Sequence, residues 1–296
     1  NTFKETISDF AAGAWSSGGN MNDALAARGS FGTQDSAVAF GGYPFPGHTN
    51  NAEVYNGTSW TEVAEMSQPR AERTGMGTSN TSGYALGTGL GSPNNAVENW
   101  NGSSWTEVND MNSLHPAGGV AGNSTDGLAI AGEGGNANVE TWDGTNWTEV
   151  TDVNTGRGKG IAFGGGSTDG LLAGGFTPGG YVKNTEVWNG TTWTETTDMT
   201  DFHQSGGSGG SSSTLGIGFG GDSQAPPGSS RTGKTEQWNG STWTELADMA
   251  TARMDLNYGK VGTGRLSLAI GGDAPPATTA TEEWTVNLAN KTITAS

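Results

Sequence analysis

The chain has 296 residues, of which 52 are glycine and none is cysteine, and its formal net charge is −17. The absence of cysteine excludes disulfides, thiolate metal sites and cysteine nucleophiles. The acidic balance argues against a nucleic-acid partner, and no apolar run reaches the roughly 20 residues that membrane insertion requires. With 11 Trp, 9 Phe and 5 Tyr to form a core in small packets, the composition predicts a folded, glycine-rich β protein.

One short phrase recurs along nearly the whole chain. It reads AEVYNGTSWTEVAEM at 52–66, AVENWNGSSWTEVNDM at 96–111, NVETWDGTNWTEVTDV at 138–153, TEVWNGTTWTETTDM at 185–199 and TEQWNGSTWTELADM at 235–249. A half-copy at 14–21 opens the chain, and TEEWTV at 281–286 closes it. The second Trp of the phrase stands at positions 15, 60, 105, 147, 193 and 243. The sequence therefore contains six repeats.

Each repeat offers four short segments with the character of strands. Small-residue segments end in glycines, as in AVAFGG at 37–42 and LAIGG at 268–272. The last two strands are joined by Asn-Gly or Asp-Gly, which accept the positive φ angles of a tight hairpin turn. Four strands per repeat of 42 to 50 residues predict an all-β, six-bladed β-propeller with four-stranded antiparallel blades. We expect one domain over residues 1–296, with repeats at about 15–60, 60–105, 105–147, 147–193, 193–243 and 243–286, plus a C-terminal tail.

The two ends of the chain provide complementary halves of one blade. Residues 11–18 carry Trp15, the mark of a fourth strand, whereas the last repeat has a third strand around Trp284 and no fourth. We expect the N-terminal strand to pair in the last blade and close the ring, because this removes two unpaired sheet edges. The tail at 291–296 could instead occupy that place.

The order of these features resembles kelch repeats over about residues 14–286: a glycine pair, an aromatic residue, then Trp, Met and a basic residue. The phrases AVAFGG, TEEW and NGTSW, in acidic repeats rich in glycine and threonine, also resemble kelch-like virion proteins of marine bacteriophages. The kelch resemblance implies the propeller fold but no single activity. The copper chemistry of kelch-like oxidases needs a cysteine, which this chain lacks.

The sequence offers little for catalysis. It has three histidines, His48, His115 and His203, and no HExxH, P-loop or nucleophile-elbow motif. We therefore predict no enzyme activity, no catalytic residues and no cofactor. A glycan lyase or hydrolase is a less favoured alternative, which a cluster of two or three carboxylates with a Tyr or His in one pocket would support.

Two glutamates recur in each phrase. The first precedes the third-strand aromatic residue by two positions: Glu53, Glu98, Glu140, Glu186, Glu236 and Glu282. The second follows the fourth-strand Trp by two: Glu62, Glu107, Glu149, Glu195 and Glu245. Because like charges directly opposite each other destabilise a sheet, we expect them to be offset, solvated or bridged by a cation. A solvated outer rim is the favoured interpretation, and calcium is the alternative.

A basic or titratable residue stands four positions after the Met or Val of each full phrase. These candidates for binding a ligand or partner are Arg70, His115, Arg157, His203 and Arg253, with Arg28 in the first repeat. The corresponding loops of kelch-like propellers surround the mouth of the central channel, so the resemblance predicts a cationic ring for an anionic ligand. The favoured interpretation of the same residues is a local ion pair with the acidic residue before the Met, such as Glu65 or Asp110, which would fix the loop.

These features favour a non-enzymatic structural or interaction protein on a virion surface or tail, or outside the cell. Its expected partners are other virion proteins or a host receptor or glycan. A secreted propeller lectin is the alternative.

Overall fold

The computed structural model describes residues 13–43, 47–87, 95–223 and 230–286. These residues form strands and connecting turns, with one 3-10 helix among them, Glu133–Gly135. None of their helical segments is long and apolar enough to cross a membrane. The predicted all-β class is confirmed.

The strands follow one another in the chain as the repeats predict. They are β1 (Ala14–Ser17), β2 (Gly29–Thr33), β3 (Ser36–Phe40), β4 (Ala52–Tyr55), β5 (Trp60–Val63), β6 (Thr74–Ser79), β7 (Ser82–Leu86), β8 (Val97–Trp100), β9 (Trp105–Val108), β10 (Gly119–Gly122), β11 (Gly127–Gly132), β12 (Asn136–Trp142) and β13 (Trp147–Val150). They continue with β14 (Ile161–Gly166), β15 (Asp169–Ala173), β16 (Phe176–Thr177), β17 (Gly180–Tyr181), β18 (Thr185–Trp188), β19 (Trp193–Thr196), β20 (Gly207–Ser212), β21 (Leu215–Phe219), β22 (Thr235–Trp238), β23 (Trp243–Glu245), β24 (Leu266–Ile270) and β25 (Thr281–Thr285).

Six blades follow from the pairing of these strands. Blades one to five are four-stranded antiparallel sheets: β2-β3-β4-β5, β6-β7-β8-β9, β10-β11-β12-β13, β14-β15-β18-β19 and β20-β21-β22-β23. Blade six contains β24, β25 and β1. Residues 258–262 take the place of its innermost strand: an isolated bridge joins them to β24, and others join them to β2 and β20 in the neighbouring blades. The pair β16-β17 is a small separate hairpin inserted into blade four.

The N-terminal strand closes the ring. β1 pairs antiparallel with β25, and Trp15 lies opposite Trp284. The indole Nε1 of Trp15 donates a hydrogen bond of 2.9 Å to Oγ1 of Thr235 in blade five. The predicted closure is confirmed; the tail at 291–296 lies outside the described residues.

The Asn-Gly turns set the register of the outer hairpins. The side chain of Asn56 accepts hydrogen bonds from the backbone N–H groups of Thr58 and Ser59 at 3.0 and 2.9 Å, and Gly57 has a φ of 87°. This turn places Tyr55 directly opposite Trp60 with ring centroids 4.9 Å apart. Trp60 then reaches blade six, where its Nε1 donates to Oγ1 of Thr281 at 3.0 Å. The recurring aromatic residues therefore form the core between blades, as expected.

The two ends of the blades form two faces of the ring. Because neighbouring strands are antiparallel, the connections from second to third strands lie at the same end as the connections between blades. We call this side the loop face. It carries the hairpin β16-β17 and all six predicted basic or histidine positions.

Candidate functional site

The six candidate binding residues lie inside the blades. Each side chain is buried and pairs with the third-strand glutamate of its own blade. The pairs are Arg28–Glu53 at 2.6 Å, Arg70–Glu98, His115–Glu140 at 3.2 Å, Arg157–Glu186 at 2.5 Å, His203–Glu236 at 3.2 Å and Arg253–Glu282 at 2.9 Å.

Blade four shows how such a pair ties three parts of a blade together. The guanidinium of Arg157 donates to Glu186 in the third strand and to the carbonyl oxygens of Leu172 and Gly174 at the end of the second, at 3.0 and 3.1 Å. Glu186 also accepts from the backbone N–H groups of Asn154 and Thr155 at 2.7 and 3.2 Å. The pair therefore fixes the loop that enters the blade.

The first repeat forms the same pair from a different position. Leu25 stands where the other repeats have Arg or His, and Arg28, three residues later, reaches Glu53 instead. Nη2 of Arg28 also donates to the carbonyl oxygen of Ala39 at 3.0 Å. All six blades therefore contain the contact to the glutamate. In the first repeat its donor stands three positions later in the sequence than in the others.

The observed positions of these six side chains show that two expectations from the sequence are wrong: the exposed cationic ring and the ion pair with the acidic residue before the Met. An exposed cationic ring at the channel mouth is not formed, because the six side chains are turned into the blades towards buried carboxylates. The acidic residues before the Met are not their partners either; Glu65, for example, accepts from Nδ2 of Asn50 at 3.0 Å. A direct role of the six residues in ligand binding stays a prediction.

The third-strand glutamates are also not solvated, contrary to expectation. In five blades each lies directly opposite the fourth-strand glutamate, as Glu53 does opposite Glu62. The third-strand member is buried and the fourth-strand member is exposed. A buried Arg or His side chain of the same blade thus pairs with the third-strand glutamate at the site where calcium was the alternative. No group of three or more His, Asp or Glu within the described residues is arranged to hold a metal ion.

Burial and pairing shift several pKa values in these clusters. Burial lowers the pKa of the guanidinium groups of Arg28, Arg70 and Arg253, and their glutamates oppose this effect. Burial alone would raise the pKa of Glu140 and Glu236, but hydrogen bonds from the histidines and from backbone N–H groups hold it below the usual range. These two carboxylates are therefore ionised in the folded protein at neutral pH.

A second ring, which the sequence analysis missed, surrounds the axis. In each blade the residue two positions after the Arg or His position is not glycine and yet has a φ between 47° and 57°: Ala27, Glu72, Ala117, Lys159, Ser205 and Asp255. Backbone hydrogen bonds join them in a circle: Glu72 N to Ala27 O, Ala117 N to Glu72 O, Lys159 N to Ala117 O, Ser205 N to Lys159 O, Leu256 N to Ser205 O and Ala27 N to Asp255 O. This circle offsets the cost of the left-handed conformation. In the sequence, the residues of this ring share only their place two positions after the Arg or His position. Because their residue types differ from repeat to repeat, this pattern is hard to detect.

The side chains of this ring gather charge at the axis. Nζ of Lys159 lies 3.2 Å from Glu72 and 3.1 Å from Glu133, and these carboxylates raise its pKa against the opposing effect of burial. The hydroxyl of Tyr258 lies 3.2 Å from Oδ1 of Asp255, whose pKa burial raises.

This cluster brings together carboxylates and a tyrosine, the combination expected of a glycan-cleaving enzyme. Two of its carboxylates are bound by Lys159, however. The axial cavity beside Lys159 and Tyr258 measures about 10 Å³, room for about one water molecule. This cavity is therefore too small to hold a sugar.

The loop face exposes an aromatic group. The hairpin β16-β17 brings Phe176 and Tyr181 together with ring centroids 5.6 Å apart, and Tyr181 contacts Phe202 at 6.1 Å. The hydroxyl of Tyr181 donates to Oδ2 of Asp222 in blade five at 2.8 Å, and Nζ of Lys183 lies 4.7 Å from the centre of the Phe202 ring. The hairpin therefore leans across the blade boundary with one aromatic side chain, Phe176, open to solvent.

Comparisons with known proteins bear on the fold alone. No family model matches the chain, and no curated protein sequence matches it significantly. Among solved structures the chain is similar to one titled "Structure of YjhT", with a TM-score of 0.72 and 14% sequence identity over 88% of this chain and 95% of that one. At this identity the likeness supports the six-bladed propeller and transfers no activity.

Proposed function

We propose that the protein is a non-enzymatic interaction module whose loop face binds another protein. A propeller fold is compatible with such a role. The observation that carries the proposal is the exposed aromatic hairpin: Phe176 is 37% exposed, and Leu114, in the connection between blades two and three on the same face, is 46% exposed. Apolar side chains exposed on a rigid support are typical of protein contacts.

The proposed setting is a virion surface or tail, or the extracellular space, with a neighbouring virion protein or a host receptor as the partner. The support is the resemblance of the acidic glycine- and threonine-rich repeats to kelch-like virion proteins of bacteriophages. Finding the chain in purified particles by mass spectrometry supports this setting. A population found only inside cells, in soluble form, contradicts it.

Three substitutions test the proposed surface. The partner is first identified by mass spectrometry of what co-purifies with the chain, and its affinity is then measured for Phe176→Ser, Leu114→Ser and Leu266→Ser. Leu266 is 44% exposed but lies at the start of β24, on the opposite face, and is the matched control. The first two should weaken binding by about tenfold or more and the control should not. Equal affinity in all three overturns the proposal.

Glycan binding, the lectin function, is a second candidate favoured by a different feature. A groove of about 260 Å³ between blades two and three is lined by Tyr84, Trp142, Asn109 and Thr145. Aromatic rings beside amide and hydroxyl groups suit a sugar. Val38 of blade one occupies the position of Tyr84, so Tyr84→Val tests it. Loss of glycan-array binding in this variant supports a lectin, and no binding by the unaltered protein rules it out.

A further inference from the structure

His115 and His203 replace arginine in blades three and five and make two polar contacts each. Nδ1 of His115 lies 2.9 Å from the carbonyl oxygen of Ala131, and Nε2 lies 3.2 Å from Oε1 of Glu140. Nδ1 of His203 lies 2.8 Å from the carbonyl oxygen of Gly220, and Nε2 lies 3.2 Å from Oε1 of Glu236. Each ring thus bridges the end of the second strand to the third-strand glutamate.

Both partners of each ring are acceptors. A carbonyl oxygen only accepts, and Glu140 already accepts from the backbone N–H groups of Asn112 and Ser113 at 2.8 and 2.7 Å. A neutral imidazole carries one N–H, so only the doubly protonated ring donates to both acceptors. The side chains of His115 and His203 are 4% and 0% exposed, and water does not readily replace a lost contact.

The two bonds end where turns of the loop face begin. Ala131, held by His115, has a φ of 56° and precedes the turn Glu133–Gly135. A Cβ on Gly135 would lie 3.2 Å from Pro178 in the hairpin of blade four. Gly220, held by His203, precedes Asp222, which binds Tyr181 of the same hairpin. The histidines therefore restrain the turns on either side of the exposed aromatic hairpin.

Few other charges bear on these rings. Among the described residues, the carboxylates that pair with these rings are Glu140 and Glu236. Next to these, Lys159 binds Glu133 in the blade-three turn, and Lys234 binds Asp201, whose backbone N–H donates to Glu236. Lysine and carboxylate groups keep their charge over the range in which imidazole changes protonation, about pH 5 to 8.

We propose that His115 and His203 make the loop face pH-sensitive, holding the two turns and the hairpin between them when doubly protonated and releasing them as the pH rises. Arginine in blades two and four makes the equivalent contacts at every pH. The consequence for partner binding rests on the proposed function: binding through the hairpin should be stronger at acidic than at alkaline pH.

Amide hydrogen exchange of the free protein tests the restraint. Between about pH 5.5 and pH 8, exchange corrected for its intrinsic rate should rise about tenfold at residues 131–135 and 220–223, the effect of one hydrogen bond per turn. The matched positions 174–175 of blade four should not change, and His115→Arg with His203→Arg should remove the rise. Equal protection at both pH values overturns the proposal.

Partner affinity at the two pH values is measured separately. If hydrogen exchange changes with pH but partner affinity does not, the restraint by the histidines is supported. The same result contradicts the proposed function, in which the partner binds through the hairpin. Nitrogen chemical shifts of the two imidazoles give an independent test. Rings that are singly protonated at about pH 5.5 overturn the proposal even if a variant fails to fold.

Discussion

Nη1 of Arg157 and Oε1 of Glu186 meet 2.5 Å apart inside blade four, and neither side chain is exposed. The fourth-strand Glu195 lies directly opposite Glu186 and is exposed. Two carboxylates that face each other across the hairpin would repel each other. This repulsion is reduced because a guanidinium neutralises the buried Glu186 and solvent surrounds Glu195. The arrangement recurs with Arg or His in blades one, two, three and five, and the buried pair alone is also present in blade six, as Arg253–Glu282.

Removing Arg157 should therefore be costly. Arg157→Ala leaves Glu186 buried and uncompensated, and breaking such a pair costs about 3–5 kcal/mol, well above the roughly 1 kcal/mol or less of an exposed pair. The free energy of unfolding, measured with a chemical denaturant, checks this value.

Glu195→Ala is the control for Arg157→Ala, since it removes an exposed carboxylate from the same hairpin. We expect a change within about 0.5 kcal/mol. If both variants lose the same small amount of stability, the buried pair is not the element that fixes the blade.

The fold could be predicted from the sequence because its signals are local. Asn56-Gly57 and the aromatic residues around it define one hairpin, and the recurrence of that hairpin defines the ring. The partners of the cations could not be predicted in the same way. The paired residues are 25 to 33 positions apart, because the entering loop folds back over the third strand, whereas acidic neighbours such as Glu65 are near in sequence and point elsewhere.

Within the described part of the chain, one fourth-strand indole at the contacts between blades is unpaired. The fourth-strand Trp residues at 15, 60 and 243 donate to Thr235, Thr281 and Thr185 in the preceding blade at 2.9, 3.0 and 2.9 Å. Nε1 of Trp147 is buried without a partner. The corresponding position of blade two is Val97, which has no hydroxyl group.

Val97→Thr should supply the missing acceptor with little change of shape and stabilise the protein by about 1 kcal/mol. Val139→Thr is the control, because Trp193, which faces blade three, already donates to the carbonyl oxygen of Thr151 at 3.1 Å. We expect a thermal melt to show a gain for the first variant only. A loss of stability in Val97→Thr would mean that the new hydroxyl stays unpaired.

Ring closure by β1 predicts a strong effect of truncation. Deleting residues 1–18 removes the partner of β25, exposes its edge and removes the contact of Trp15 with Phe219, whose ring centroids are 4.9 Å apart. At about 2–4 °C per kcal/mol, the loss of several kcal/mol should lower the melting temperature by roughly 10 °C. Deleting only residues 1–12 keeps β1 and is the control. An unchanged melt in the longer deletion would contradict closure by this strand.

Lys260 is a buried cation for which the structure shows no hydrogen bond and no ion pair within its described part. It lies in the innermost segment of blade six and is 5% exposed. Burial lowers its pKa to about 8, and the negative charge of Asp169 opposes this effect only in part. Asp169 itself accepts hydrogen bonds from the backbone N–H groups of Gly165 and Ser213, each at 3.0 Å.

Replacing Lys260 with Met should stabilise the protein at neutral pH. A pKa lowered from 10.5 to about 8 means that folding opposes the charged form, so Lys260 destabilises the fold below about pH 8 by about 3 kcal/mol. This penalty shrinks as the pH rises from about 8 towards 10.5, because the unfolded lysine then also loses its proton. The gain from Lys260→Met should therefore be largest near pH 7 and nearly absent above about pH 10.5. Lys234→Met, which removes a half-buried lysine with two carboxylate partners, should give no such gain. An equal gain for Lys260→Met at both pH values would show that packing, not charge, is responsible.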